Sequence, residues 1–148
     1  MNDVPLASAQ RGAPPTCSYD LQFAHFDHDQ IEDRGVASAA EILEAFDAFD
    51  WPGQADAANR LQKVAPTFAV RDLDRDRLFW VSCCGDGGNF FFVNDYSYRG
   101  EVRRLLRGQG WISAPTHELS LSEARRGIQL FVTGEHDALL TLLGAGSR

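Results

Sequence analysis

Residues 116–134 read THELSLSEARRGIQLFVTG and contain a complete helix signal. Ser120 precedes Glu123 by three residues, the spacing at which a hydroxyl and a carboxylate each satisfy a free amide of a first helical turn. The predicted helix carries one apolar stripe and ends where Gly134 can adopt a left-handed conformation. The stripe consists of Leu121, Ala124, Ile128, Phe131 and Val132.

Elements before this helix follow from similar signals. Ser38 and Glu41 form a second capping box, which predicts a first helix over residues 38–50, ended by Pro52 and Gly53. Apolar residues alternate with polar ones from Cys17 to Phe26, which predicts a first strand. A short second helix is expected over residues 56–64.

Three β-prone runs in the middle of the chain predict an antiparallel meander. The second and third runs are joined by a Gly-rich turn, and a charged turn joins the first and second. Phe90–Val93 is apolar without alternation, which indicates a strand that is covered on both faces or a strand whose outer face contacts another molecule. The three runs are residues 67–71, 78–84 and 90–96.

The remaining segments carry weaker signals. Residues 101–107 fit either a short helix or an edge strand with a loop, and residues 111–115 a short strand ended by Pro115. An apolar run at residues 138–143 is expected to add a last strand. The chain is therefore predicted to be one α+β domain over residues 16–148, preceded by a flexible arm at 1–15. About five mostly antiparallel strands should pack against two main helices.

The composition indicates where the protein is located and which classes of partner it can bind. The 148 residues are 44% hydrophobic and 24% charged, no run approaches the roughly 20 apolar residues of a membrane span, and the N-terminus has no signal-peptide pattern. We therefore expect a cytoplasmic protein with no membrane partner. Cys17, Cys83 and Cys84 are expected to be reduced.

The net charge is −7 and the isoelectric point is near 4.9. Direct binding to nucleic acid would need a basic surface, so the charge argues against it. An acidic surface suits a basic protein partner, although the same charge can simply keep a small domain soluble.

Motifs for a metal, a cofactor or a reaction are weak. His25–Asp29 is the most metal-like stretch, but it offers no closed ligand set and is better explained as a solvated turn. Gly85–Gly88 lacks the Gly-Lys-Ser/Thr ending of a phosphate-binding loop and leads into a strand. We expect no cofactor, no metal and no catalytic residue.

The stretch from Leu119 to Gly134 resembles the C-terminal signature of a bacterial polymorphic-toxin immunity protein family. That family is often paired with nucleic-acid deaminase toxins. Members often continue with a Pro and a Trp-containing strand, whereas Glu135 and an aliphatic tail follow here. The residues that carry the resemblance are Leu121, Glu123, Ala124, Phe131, Thr133 and Gly134.

The resemblance implies a protein without a reaction of its own that binds a toxin C-terminal domain. It would block the toxin's active site with an acidic and aromatic surface, or hold the toxin in an inactive shape. Reversing the charges of Asp72, Asp74 and Asp86 together should then weaken binding with little change in thermal stability. The expected partner-binding residues are Asp72, Asp74, Asp76, Asp86, Asn89, Phe91, Asp95, Tyr96, Tyr98 and Trp111.

Each of these residues also has a simpler explanation, as a solvated turn residue or a core side chain. Two other functional classes stay open. One is a small-molecule-binding or regulatory domain, which requires an apolar pocket between helices and sheet. The other is a small enzyme whose carboxylates are assembled from distant strands without a readable motif.

Overall fold

Strands and helices occupy separate layers, with the helices on one side of the sheet. The computed structural model describes residues 14–99, 111–113 and 117–144, with the backbone alone for residues 99 and 111–113. The strands are β1 (Cys17–Gln22), β2 (Glu32–Ala37), β3 (Thr67–Asp72), β4 (Arg77–Asp86), β5 (Asn89–Arg99) and β6 (Trp111–Ser113). The helices are α1 (Ala39–Ala48), α2 (Trp51–Leu61), α3 (Leu121–Val132) and α4 (His136–Leu142).

The sheet is antiparallel throughout, in the order β2-β1-β3-β4-β5-β6. β3, β4 and β5 form the predicted meander, and β6 extends it. β1 pairs with the free edge of β3, with Cys17 opposite Asp72 and Gln22 opposite Thr67. The predicted α+β class, with a mostly antiparallel sheet in a single small domain, is confirmed.

Both predicted capping boxes are formed. In α1, the Glu41 amide donates to Ser38 Oγ at 3.1 Å, and the Ser38 amide donates to Glu41 Oε1 at 2.8 Å. Ser120 and Glu123 make the same reciprocal pair at the start of α3, at 3.2 and 2.9 Å. Gly134 follows α3 with φ of +78° and so provides the predicted left-handed stop.

The second helix begins earlier than predicted. Pro52 and Gly53 were expected to end the first helix, but they lie in the first turn of α2, because Asp50 Oδ1 accepts from the Gly53 amide at 3.2 Å. Pro52 fits there, since an amide in the first turn has no intrahelical partner to lose. The predicted helix over 56–64 is therefore α2, shifted toward the N-terminus.

The first strand is shorter than predicted, and an unpredicted strand follows it. β1 stops at Gln22 because the next amides bond elsewhere: Ala24 donates to Gln54 Oε1 of α2 at 2.7 Å, and Phe26 donates to the Phe23 carbonyl at 2.9 Å. The chain then returns as β2, an edge strand. β2 escaped sequence analysis because its residues are mostly polar and largely exposed.

The predicted last strand is wrong, since the apolar run near the C-terminus forms α4. Leu139 and Leu143 lie four residues apart on one face and are 0% and 1% exposed. A short apolar run does not distinguish a strand from a buried helix, and packing on α3 selects the helix here. The predicted arm at 1–15, except Pro14 and Pro15, and the segment 101–107 lie outside the described residues.

A single hydrophobic core lies between the helices and one face of the sheet. It takes in alternate residues of the four central strands, including Tyr19, Val70, Phe79 and Tyr96, which lie opposite one another in register. The residues between them point to the other face, and none belongs to this core. We call that other face the open sheet face. Its residues include Ser18, Asp20, Ala69, Arg71, Leu78, Trp80, Phe91, Val93 and Asp95.

Candidate functional site

The open sheet face has an aromatic and aliphatic centre. Trp80 of β4 and Phe91 of β5 are half-buried, and Val93 is 38% exposed, although all three are large apolar side chains. Val36 of β2 lies on the same face and is 64% exposed, but Ser18 and Arg71 separate it from this centre. A group of large apolar side chains on a sheet surface, such as Trp80, Val93 and Phe91, is typical of a contact site.

One cross-strand row carries both aromatic and acidic groups. Asp20 of β1 lies opposite Ala69 of β3, Ala69 opposite Trp80 of β4, and Trp80 opposite Asp95 of β5. Residues that are directly opposite place their side chains on the same face of an antiparallel sheet. Trp80 is thus flanked by carboxylates on two sides, with only the Ala69 methyl group between it and Asp20.

The electrostatic environment of this row is mainly acidic. Burial raises the pKa of the Asp20 carboxyl, nearby Arg71 lowers it, and Asp33 of β2 raises it again. The Asp95 carboxylate accepts a hydrogen bond from Ser97 Oγ at 2.7 Å. Three carboxylates therefore accompany one guanidinium in this region of the described residues.

Asp72, Asp74 and Asp76 lie in or beside the β3–β4 turn, and they differ in exposure. Asp72 is 2% exposed, and its Oδ1 accepts from the amides of Asp74 and Arg75 at 2.9 and 3.0 Å. Asp74 is exposed and accepts from the Thr16 amide at 2.7 Å. Asp76 is exposed and has φ of 59°. Asp72 thus holds the turn together, and its burial removes it from the surface.

Asp86 and Asn89 lie in the other turn of the meander, between β4 and β5. Asp86 Oδ1 accepts from the amides of Gly88 and Asn89 at 2.9 and 3.0 Å. β4 has 10 residues and separates this turn from the one at Asp74, a span of roughly 30 Å at the usual rise of a strand. The predicted acidic residues therefore do not form one patch.

The predicted aromatic residues are divided between the two faces of the sheet. Phe91 lies on the open sheet face with Asp95, whereas Tyr96 is 1% exposed in the core and half-buried Tyr98 packs against it. The backbone of Trp111 pairs with Arg99 in β6, and its side chain lies outside the described residues. Of the ten predicted residues, Phe91 and Asp95 share this face with Trp80, and Asp95 is the direct cross-strand neighbour of Trp80.

A separate polar contact joins the core to α4. The Tyr96 hydroxyl lies 2.6 Å from Nδ1 of His136, and the His136 ring also meets the Tyr98 ring edge-on at 4.8 Å between centroids. Burial, followed by the positive charge of Arg77, lowers the pKa of His136. Burial raises the pKa of Tyr96 to about 12, so its hydroxyl stays protonated near neutral pH.

An apolar cleft of about 560 Å³ opens between the helices, on the side of the molecule away from the open sheet face. Phe46, Phe49 and Trp51 form its floor, and Leu121 of α3 stands at its side with 43% of its surface exposed. At the rim, Arg125 Nε and Nη2 donate to the two carboxylate oxygens of Asp47 at 2.7 and 2.9 Å.

The thiols and the metal-like loop have structural roles. Burial raises the pKa of Cys17 and Cys83 to about 12, which disfavours the thiolate. The loop His25–Asp29 is tied to the end of α2, where Lys63 pairs with Asp27 at 2.9 Å and donates to the His25 carbonyl at 3.3 Å. Within the described residues, no three His, Cys, Asp or Glu side chains are placed to hold a metal ion.

The sequence pattern did not predict that Trp80 and Val93 lie on the surface or that Leu121 lines the cleft. The signal was present in β4, where Phe79, Val81 and Cys83 alternate with Leu78, Trp80 and Ser82. Because both sets are rich in apolar residues, the alternation does not reveal which set faces the helices. The predicted inward stripe of α3 is correct except at Leu121.

Over residues 14–99 and 117–144, none of the helices combines the length and apolar character needed to cross a membrane. The chain matches no family model, no curated protein and no solved structure.

Proposed function

We propose that this chain is a bacterial immunity protein, which binds and neutralises a cognate toxin domain in the cytoplasm. One observation carries the proposal: within the described residues the sheet has helices on one face only, and its other face combines large apolar side chains with carboxylates. We place the interface there, around Trp80, Val93 and Asp95.

The composition of this surface resembles that of tight protein interfaces. Affinity is usually concentrated in a few central residues, enriched in Trp, Tyr and Arg, with polar residues around them. Trp80 supplies a central aromatic group with Asp20 and Asp95 in the same cross-strand row, and Phe91 supplies a second one farther along the same face. An interface of about 1,600 Å² built on such anchors can reach nanomolar affinity, about 12 kcal/mol at a 1 M standard state.

The charge of the chain suits a toxin that acts on nucleic acid, such as a deaminase. Such a toxin must attract phosphates, so its active-site groove is expected to be basic. Acidic side chains outnumber basic ones by more than two to one across residues 14–98 and 117–144. An acidic inhibitor would be steered toward a basic groove and would block its mouth.

The residues that carry the family resemblance have structural roles in and around α3. Glu123 forms the capping box of α3, Ala124 and Phe131 lie in the core, and Gly134 ends the helix. These roles would be needed in any protein with this helix. The proposal therefore depends on the open sheet face and on an experiment with the toxin.

The proposal predicts a secreted toxin encoded beside this gene, and its test is co-expression with the C-terminal domain of that toxin. We expect the two proteins to co-purify in near-equal amounts and the growth of the host cells to be protected. A double variant, Trp80→Ala with Val93→Asp, should abolish both effects. Glu44→Gln on exposed α1 is the matched control and should retain them.

Two results would overturn this function. One is the survival of cells that express the toxin without this protein, and the other is turnover of a substrate by the purified chain. If the toxin is captured but the double variant still protects, the function would stand and the interface would lie elsewhere.

The apolar cleft favours a second candidate, a small-molecule-binding domain. Its volume of about 560 Å³ and its aromatic floor are those of an ordinary ligand pocket. Native purification followed by mass spectrometry separates the two candidates. A bound metabolite that is lost in a Leu121→Asp variant, without any protein partner, would favour this second function.

A further inference from the structure

From the geometry of the open sheet face we infer that it recognises arginine side chains of its partner. Trp80 would act as the platform for the guanidinium, and Asp20 and Asp95 would neutralise its charge. This inference rests on the proposed function, and it specifies the chemistry of the partner's contacting residues.

The spacing within the row leaves room for a side chain of a partner between Asp20 and Trp80. Neighbouring strands lie about 4.8 Å apart, so Asp20 and Trp80, which lie two strands apart, are separated by roughly 10 Å at the backbone. Ala69 lies between them and carries only a methyl group. The row therefore leaves space over Ala69, bounded by an indole on one side and a carboxylate on the other.

The Trp80 ring is free for contact within the described part of the chain. The neighbouring aromatic rings of the core pair with one another, as Phe79 does with Tyr96 and Phe131. Trp80 takes part in no such ring pair and in no hydrogen bond with another described residue. It is nevertheless only half-buried.

The charges around this row are mostly negative and therefore complementary to a cation. Asp20, Asp33 and Asp95 lie on or beside this row, and Arg71 is the cation that accompanies them among the described residues. Burial already disfavours the charged form of Asp20, so an added cation would relieve an existing cost. The local charge therefore favours a basic group over a neutral or acidic one.

Arginine fits this arrangement better than lysine. A guanidinium is planar, stacks on an aromatic face and donates two parallel hydrogen bonds to a carboxylate. An ammonium group is a compact charge and makes the second contact less well. A guanidinium over Ala69 could stack on Trp80 and donate to Asp20 at the same time, while Asp95 on the far side of the indole adds negative charge to the row.

The experiment uses the purified full chain and two synthetic peptides. An acetylated tetra-arginine peptide is the probe, and a tetra-citrulline peptide of the same shape without charge is its control. The indole resonance of Trp80 is assigned with a Trp80→Phe variant, because Trp51 and Trp111 also contribute. Chemical shifts of the indole and of the Ala69 amide are then followed during titration.

We expect the arginine peptide to shift both resonances and the citrulline peptide to leave them in place. Asp20→Asn should weaken the affinity by roughly threefold to tenfold, the scale of one cation–π or paired charge contact. Glu44→Gln removes the same charge from the helix side and should leave the affinity unchanged. Retained amide dispersion shows that each variant is folded.

Several outcomes would overturn the inference. They are equal shifts with both peptides, equal weakening by Asp20→Asn and Glu44→Gln, and concentration-dependent broadening of Trp80 without peptide, which would assign the face to a second copy of this chain. The proposed function is tested separately. Toxin captured equally by the wild type and by the Trp80→Ala and Asp20→Asn variants refutes this inference alone, whereas peptide binding without toxin capture refutes the function alone.

Discussion

The phenol oxygen of Tyr96 lies 2.6 Å from Nδ1 of His136, at the junction between β5 and α4. Since burial raises the pKa of Tyr96 to about 12, the phenol is the donor and the imidazole is the acceptor near neutral pH. A protonated His136 has no acceptor lone pair on Nδ1. It would also face the positive charge of Arg77, only partly offset by Asp137.

This contact predicts a loss of stability in mild acid. Because burial lowers the folded-state pKa of His136 below 6.5, the unfolded chain binds more protons below that pH. The free energy of unfolding should fall as the pH drops below 6.5, by at most about 1.4 kcal/mol per pH unit. Urea unfolding at pH 7.5 and pH 5.5 measures the change.

Two variants identify the residue responsible. His136→Gln should remove most of the change between these pH values, and His28→Gln, at an exposed loop position, should leave it in place. An equal loss in wild type and His136→Gln would assign the pH dependence to other groups.

Asp72 is predicted to matter for stability, which corrects an expectation from the sequence. Its buried carboxylate accepts from the amides of Asp74 and Arg75, and its other oxygen lies 3.4 Å from Arg75 Nη1. Asp72→Ala leaves two amides without their acceptor and should lower the free energy of unfolding by about 2–3 kcal/mol. Thermal or urea unfolding measures this loss.

Asp74→Ala is the comparison, since Asp74 is exposed and accepts one amide. It should cost less than about 1.5 kcal/mol. Reversing Asp72, Asp74 and Asp86 together should therefore destabilise the fold and cannot serve as a test of binding. Equal unfolding energies for the wild type and Asp72→Ala would contradict this role of Asp72.

Gly127 is predicted to be required where α3 crosses β4. A Cβ atom at this position would lie 3.0 Å from two atoms of the Phe79 ring, which is fully buried and stacks on Phe131. Gly127→Val should therefore lower the free energy of unfolding by about 1–3 kcal/mol, as overpacking of a core does. Arg126→Ala on the same helix is exposed and should change it by about 0.5 kcal/mol or less. A Gly127→Val protein as stable as the wild type would show that Phe79 can move aside.

The local signals in the sequence were sufficient for much of the fold. Ser38, Ser120 and Gly134 mark helix ends through their own backbone bonds, so short-range spacing reveals them. α4 was mistaken for a strand because its helical form depends on packing against α3, a contact that spacing does not report. β2 was missed because its partner β1 defines it, while its own residues carry little apolar pattern.

The candidate site was harder to predict than the fold. Asp74 and Asp86 are both turn residues, and only the length and direction of β4 place them at opposite ends of the sheet. Trp80 and Asp95 are 15 positions apart in the chain and become direct neighbours through the register of β4 and β5. Register is set by turn geometry and by burial of one face. It therefore cannot be inferred from which residues are of a type common on protein surfaces.

Two positions on the apolar stripe of α3 are predicted to differ in how much the free energy of unfolding falls when the side chain is truncated. Sequence periodicity places Leu121 and Ile128 on the same apolar stripe, but Leu121 is 43% exposed beside the cleft and Ile128 is fully buried. Ile128→Ala should lower the free energy of unfolding by about 2–5 kcal/mol, because it removes buried methyl groups and leaves a cavity. Leu121→Ala should lower it by about 1 kcal/mol or less. Urea unfolding of both variants measures the difference, and equal losses would mean that Leu121 is packed as the sequence pattern alone predicts.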